Sequence, residues 1–90
     1  MTNLSAGREM EHTLIQSYVC EEYFVSTIYR RSSAELGPKW YYETIVWKWN
    51  KDTRTRGKML EMHDSGLSPM TAIDHHYDIC RATLAAKEGE

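Results

Sequence analysis

Along most of this chain apolar and polar positions alternate; only near its end do apolar residues recur at spacings of three and four. Residues 13–20, TLIQSYVC, and 23–31, YFVSTIYRR, are rich in β-branched and aromatic residues, with only Glu21 and Glu22 between them. Branching at Cβ suits a pleated surface, so the pattern predicts a hairpin of two strands over its rival, one amphipathic helix through residues 9–29. SSAELGPK (32–39) is a connection marked by Gly37 and Pro38. A third strand follows over 40–49, WYYETIVWKW, then a polar hairpin loop over 50–57 and a shorter strand over 58–63. DSGL (64–67) reads as a turn.

The last element announces itself most clearly. Ser68 suits an N-cap, and Pro69 suits the first helical position, where its missing N–H is not needed. Met70, Ile73, Tyr77, Cys80 and Leu84 then fall on one stripe of a helix running to about residue 87, with Gly89 ending it. The order β-β-β-β-α predicts an α+β fold, an antiparallel four-stranded β-meander with one C-terminal helix packed on one face. Residues 1–11 are expected to form a flexible tail and 12–88 a single domain.

One helix covers one face of such a sheet and leaves the other open. Side chains alternate along a strand. Burying the bulkiest apolar set places Phe24, Ile28, Ile45 and Trp47 under the helix, against Ile73, Tyr77, Cys80 and Leu84. The open face then holds Tyr23, Val25, Tyr29, Trp40, Tyr42 and Val46. A half-wet face of tyrosines is the plain reading of such a surface. A contact surface is the functional one, because interface centres are enriched in Tyr, Trp and Arg.

Composition adds charge asymmetry. The 90 residues carry a net charge of −2, yet residues 30–58 hold eight basic residues against three acidic, a net +5. The remainder holds three basic and ten acidic, a net −7. Arg30, Arg31, Lys48, Arg54 and Arg56 thus form a basic edge suited to an acidic partner or to phosphates. No apolar run reaches the roughly 18 residues of a membrane span, and the N-terminal residues lack a basic-then-apolar leader, so an intracellular, cytoplasmic chain with no membrane association is expected. In that setting Cys20 and Cys80 are expected to be buried, unpaired small residues.

Candidate chemistry is sparse. His76 and Cys80 are i, i+4 neighbours, but a zinc site needs His12, Cys20 or His63 to converge on them, and no CxxC or HxxxH spacing supports one. The plain reading is a half-buried His76 and a solvent-facing His75. A Cys20–His pair has nothing to orient it, and adjacent Glu21 and Glu22 point opposite ways on a strand. No phosphate-binding loop, nucleotide fingerprint or nucleophile elbow is present. No enzyme, metal or cofactor is expected.

The strand Tyr42, Glu43, Thr44, Ile45, Val46, Trp47, followed by a basic hairpin and a helix with Ser68, Ala72 and His76, resembles a group of small bacterial and phage proteins. YFVSTIYRRSSA (23–34) shares this character. The resemblance implies the fold and a mobile-element origin. A looser likeness is to the sheet-plus-helix arm-type DNA-binding domains of phage integrases, which read a groove with the sheet. The leading expectation is therefore a non-enzymatic interaction protein, binding a protein partner or its own copy through Tyr23, Tyr29, Trp40, Tyr42, Val46 and the basic residues. A host-directed inhibitor of a defence complex is one form of it. The alternative is a small nucleic-acid-binding protein using the same face and arginines.

Overall fold

The computed structural model describes residues 11–32 and 39–89. Four strands, β1 (Glu11–Val19), β2 (Tyr23–Ser32), β3 (Lys39–Asn50) and β4 (Thr55–Gly66), are followed by helix α1 (Pro69–Glu88). The sheet is an antiparallel meander in the order β1-β2-β3-β4, with the helix packed against it. The expected α+β architecture is present. The tail expected over residues 1–11 falls outside the described residues up to residue 10, and Glu11 opens β1. Most of the connection expected at 32–39 also lies outside them.

Two elements differ from expectation. β4 runs twelve residues to Gly66, because pairing with β3 continues through His63↔Thr44, Asp64↔Glu43 and Gly66↔Tyr42. The turn expected at 64–67 shrinks to its end, where Gly66 takes φ +87, a left-handed conformation that glycine adopts without penalty. The β1–β2 turn takes in Cys20 as well as Glu21, at φ 44 and 62. Cys20 is therefore an exposed turn residue instead of a buried one, and Cys80 is half-buried. Ser68 does precede the helix, in extended geometry, but caps it through its carbonyl, which accepts from the Ala72 N–H at 2.9 Å; its side chain makes no cap bond.

The larger correction concerns which face the helix covers. Val25, Val46, Val19 and Ile79 form the buried cluster, with Tyr23 and Cys80 packed against it. Val25, Thr27, Thr44 and Val46 are fully enclosed, and Ala72, His76 and Ile79 are the buried residues of the helix. The helix thus sits on the face expected to be open. Its contact row is Ala72–His76–Ile79, one step round from the apolar stripe, and small side chains on both sides permit close approach.

Polar matching fixes that choice. His76 Nε2 is hydrogen-bonded to Ser17 Oγ at 2.8 Å and Nδ1 to Thr27 Oγ1 at 2.9 Å. Thr27 bonds Thr44 at 2.6 Å, Thr44 bonds Ser65 at 2.6 Å, and Ser65 bonds His75 Nδ1 at 2.8 Å. The row crosses the whole sheet from β1 to β4. Each member is bonded to the next, so burial leaves none of these groups stranded. A neutral imidazole has one donor and one acceptor nitrogen, so protons run along the row in one direction or the other, and the row reverses as a unit. Burial holds the His76 pKa below its ordinary value. His76 is completely buried, and His75 is partly buried in place of the expected solvent exposure.

Candidate binding groove on the open sheet face

The face away from the helix carries Phe24, Ser26 and Ile28 from β2 and Ile45, Trp47 and Trp49 from β3. Gln16 and Thr13 join from β1, and Arg56, Met59 and Met62 from β4. β4 reaches this face through register shifts at Val46/Trp47 and Trp47/Trp49, which keep Met62, Met59 and Arg56 opposite Ile45, Trp47 and Trp49. A further shift between Thr13 and Ile15 bulges Leu14 out of β1. Bulges bend strands and increase twist. The result is a concave groove of about 690 Å³.

The groove floor is apolar. Phe24 and Ile45 are buried although no described helix covers them, and the Tyr18 and Trp49 rings pack against Phe24. Tyr18, Phe24 and Trp49 form a triangle with centroids 4.9–5.7 Å apart, in tilted and edge-on arrangements. Such edge contacts are the favoured geometry of aromatic clusters. Tyr18, Met59 and Met62 are exposed around this floor.

The groove is also basic. The Arg56 guanidinium lies 4.5 Å from the Trp47 ring centre, a cation–π contact. Arg54 stands at the β3–β4 hairpin tip with φ +56, and it lines the same groove. Arg30 donates from Nη1 to Glu43 Oε1 at 2.6 Å, pairing a buried carboxylate of the sheet. The Trp47 indole N–H is buried without an acceptor among the described residues.

Of the ten residues expected to form the contact surface, the structure brings Arg30, Arg54 and Arg56 into this groove. Val46 is in the core beneath the helix, with Tyr23 packed on it. Tyr29, Trp40 and Tyr42 share that helix-bearing face by alternation, in a row towards the amino end of α1. Their ring centres are 4.6 and 4.9 Å apart, and His12 extends the row at 6.3 Å from Trp40. All three are half-buried. Lys48 lies over the Tyr23 ring at 4.8 Å on the same side, and Arg31 is exposed. Among the groove residues missed from the sequence are Phe24, Ile45, Trp47, Trp49, Met59 and Met62. The signal that finds them is size: the helix needs a shallow bed, and only the Val/Thr face offers one.

Among the described residues no group of three or more His, Cys, Asp and Glu side chains is placed to hold a metal ion. His76 spends both ring nitrogens on Ser17 and Thr27, so it is not available to share a metal with Cys80. No described helix is long and apolar enough to cross a membrane. Comparison with protein-family models, with curated proteins and with solved structures finds no match for this chain.

Proposed function

We propose that this chain is a non-enzymatic interaction module whose concave sheet face binds a protein partner presenting an acidic segment with an apolar anchor. The observation that carries this reading is the groove itself. It combines an apolar floor of Phe24 and Ile45, exposed Met59 and Met62, and Arg54 and Arg56 at one end. Methionines adapt to irregular surfaces and arginines favour carboxylates, so the lining suits a peptide better than a rigid small molecule. A subunit of a host defence complex is one partner of this kind, and the small size of the chain suits such a host-directed inhibitor.

The co-location of Arg54 and Arg56 with Trp47 and Trp49 is what favours the second reading, a single-stranded nucleic acid. Against it, the rings pack edge-on against each other and Arg56 occupies a face of Trp47, which leaves little flat surface for a base. Peptide display on the purified domain separates the two. The expected result is enrichment of acidic sequences with an aromatic or aliphatic anchor, lost with Arg54→Glu/Arg56→Glu at unchanged circular dichroism. No charge-dependent enrichment, together with oligonucleotide binding that falls steeply with salt, would replace the protein reading with the nucleic-acid one.

A further inference from the structure

The apolar stripe expected to face the sheet is left largely outside it. Met70, Tyr77 and Leu84 are 72%, 46% and 40% exposed, while Ile73 and Cys80 are half-buried between them. Three exposed apolar side chains in line along one helix are unusual for a monomer of this size, and Cys80 beside them packs partly on the chain's own core. Their spacing is 3-4-3-4 throughout. This is the a/d pattern of a coiled-coil seam, with Met70, Tyr77 and Leu84 at a and Ile73 and Cys80 at d.

We infer that α1 is a self-association surface, and that two copies of the chain pair through this stripe with their helices antiparallel about a two-fold axis. In an antiparallel pair each a position meets a d position of the other helix. Centring the pair between Tyr77 and Cys80 places Tyr77 against Cys80 of the partner subunit. Ile73 then meets Leu84 of the partner subunit, and Met70 meets the stem of Lys87 of the partner subunit. Ile73, Tyr77, Cys80 and Leu84 each find an apolar counterpart in this register.

Charge supports the same register. The positions flanking the seam on the side away from the chain's own sheet are Asp74, Arg81 and Glu88. Under the two-fold, Asp74 lies within about 3 Å along the axis of Arg81 of the partner subunit, and the symmetric pair repeats this. The sequence is thus self-complementary in the antiparallel orientation, as a two-fold isologous interface requires. Arg81 also pairs with Asp78 on its own helix, and both are exposed, so the guanidinium can serve both carboxylates.

The stripe belongs to the helix and the groove to the other face of the sheet, so a dimer carries two grooves. Two linked grooves would raise avidity for a repeated or oligomeric partner without any new contact.

Sedimentation equilibrium over a concentration series tests the inference. Wild type is expected to dimerise reversibly. Tyr77→Glu, at an exposed position, is expected to weaken the dimer at least tenfold while circular dichroism stays unchanged. Asp74→Arg and Arg81→Asp should each weaken it by about fivefold, the effect of two exposed ion pairs turned repulsive, and the double swap should restore it. A chain that stays monomeric up to its solubility limit overturns the inference. So does a dimer indifferent to Tyr77→Glu and to both charge swaps. Arg54→Glu/Arg56→Glu should leave dimerisation unchanged, so loss of groove binding and loss of the dimer are read separately.

Discussion

The two faces of one sheet differ in what each asks of its cover. The helix-bearing face is built from Val25, Thr27, Thr44 and Val46, short branched side chains that are fully enclosed. The open face carries Phe24, Ile45, Trp47 and Trp49, far more apolar bulk, and no described element covers it. Hydrophobicity alone ranks these faces the wrong way round. A helix presenting Ala72, His76 and Ile79 settles closely only on a shallow surface, and His76 needs hydroxyls at both ring nitrogens. The bulky face meets neither condition. It partly covers itself by tilted and edge-on ring packing and stays concave, which leaves it suited to receive another molecule.

The largest effect separating the faces should come from overpacking. Ala72→Leu places extra volume where no space exists, and a loss of about 2–3 kcal/mol in urea unfolding is expected. Met62→Ala, on the open face and exposed, should cost under about 1 kcal/mol. Equal losses at the two sites would erase the distinction. Next comes Thr27→Val, which keeps shape but strands one ring nitrogen of His76 and one bond of Thr44; a cost of about 1–3 kcal/mol is expected by the same measurement. Ser26→Ala, the neighbour on the open face, should be nearly neutral.

A smaller, pH-dependent effect belongs to the covered face alone. The folded-state pKa of His76 lies below its unfolded value near 6.5. The unfolded chain therefore binds the proton first as pH falls, and the folded state loses stability progressively below about 6.5, down to the folded pKa. Above 6.5 both states are neutral at this site and no slope arises from it. Urea midpoints between pH 5 and 8, estimated from the ordinary titration range of His, should show this decline in wild type and a flatter profile in His76→Gln. The smallest contrast is in thiol reactivity. Cys20 is exposed in the β1–β2 turn, whereas burial pushes the Cys80 thiol pKa up, partly offset by a hydrogen bond from Ser17 and the charge of Arg81. Alkylation near neutral pH should label Cys20 fast and Cys80 slowly, the thiolate being the reactive form. Equal rates would mean that the helix does not shield Cys80.

Much of the fold is written in local pattern. β-branched runs gave four strands in meander order, and Ser68-Pro69 gave the start of the helix to the residue. The length of β4 was hidden because Asp64, Ser65 and Gly66 carry turn chemistry, and only pairing with β3 draws them into the sheet. The choice of face was hidden for a related reason. Alternation assigns residues to two sets but is silent on which set meets the helix. That choice rests on volumes and on a hydrogen-bond row joining residues as far apart as Ser17 and His76. Arg54 and Arg56 were legible as a basic hairpin tip. Phe24, Ile45 and Trp47 were legible as one apolar set, though assigned to the core beneath the helix.

The central claim, that α1 lies on the Val/Thr face and leaves the aromatic face open, is tested most directly by methyl NOEs in a labelled sample. The account predicts cross-peaks from the Ile79 side chain to the methyl groups of Val25 and Val46, with none to Phe24 or Ile45. Cross-peaks from Ile79 or Tyr77 to Phe24, Ile45 or Trp47 would contradict it and restore the opposite packing.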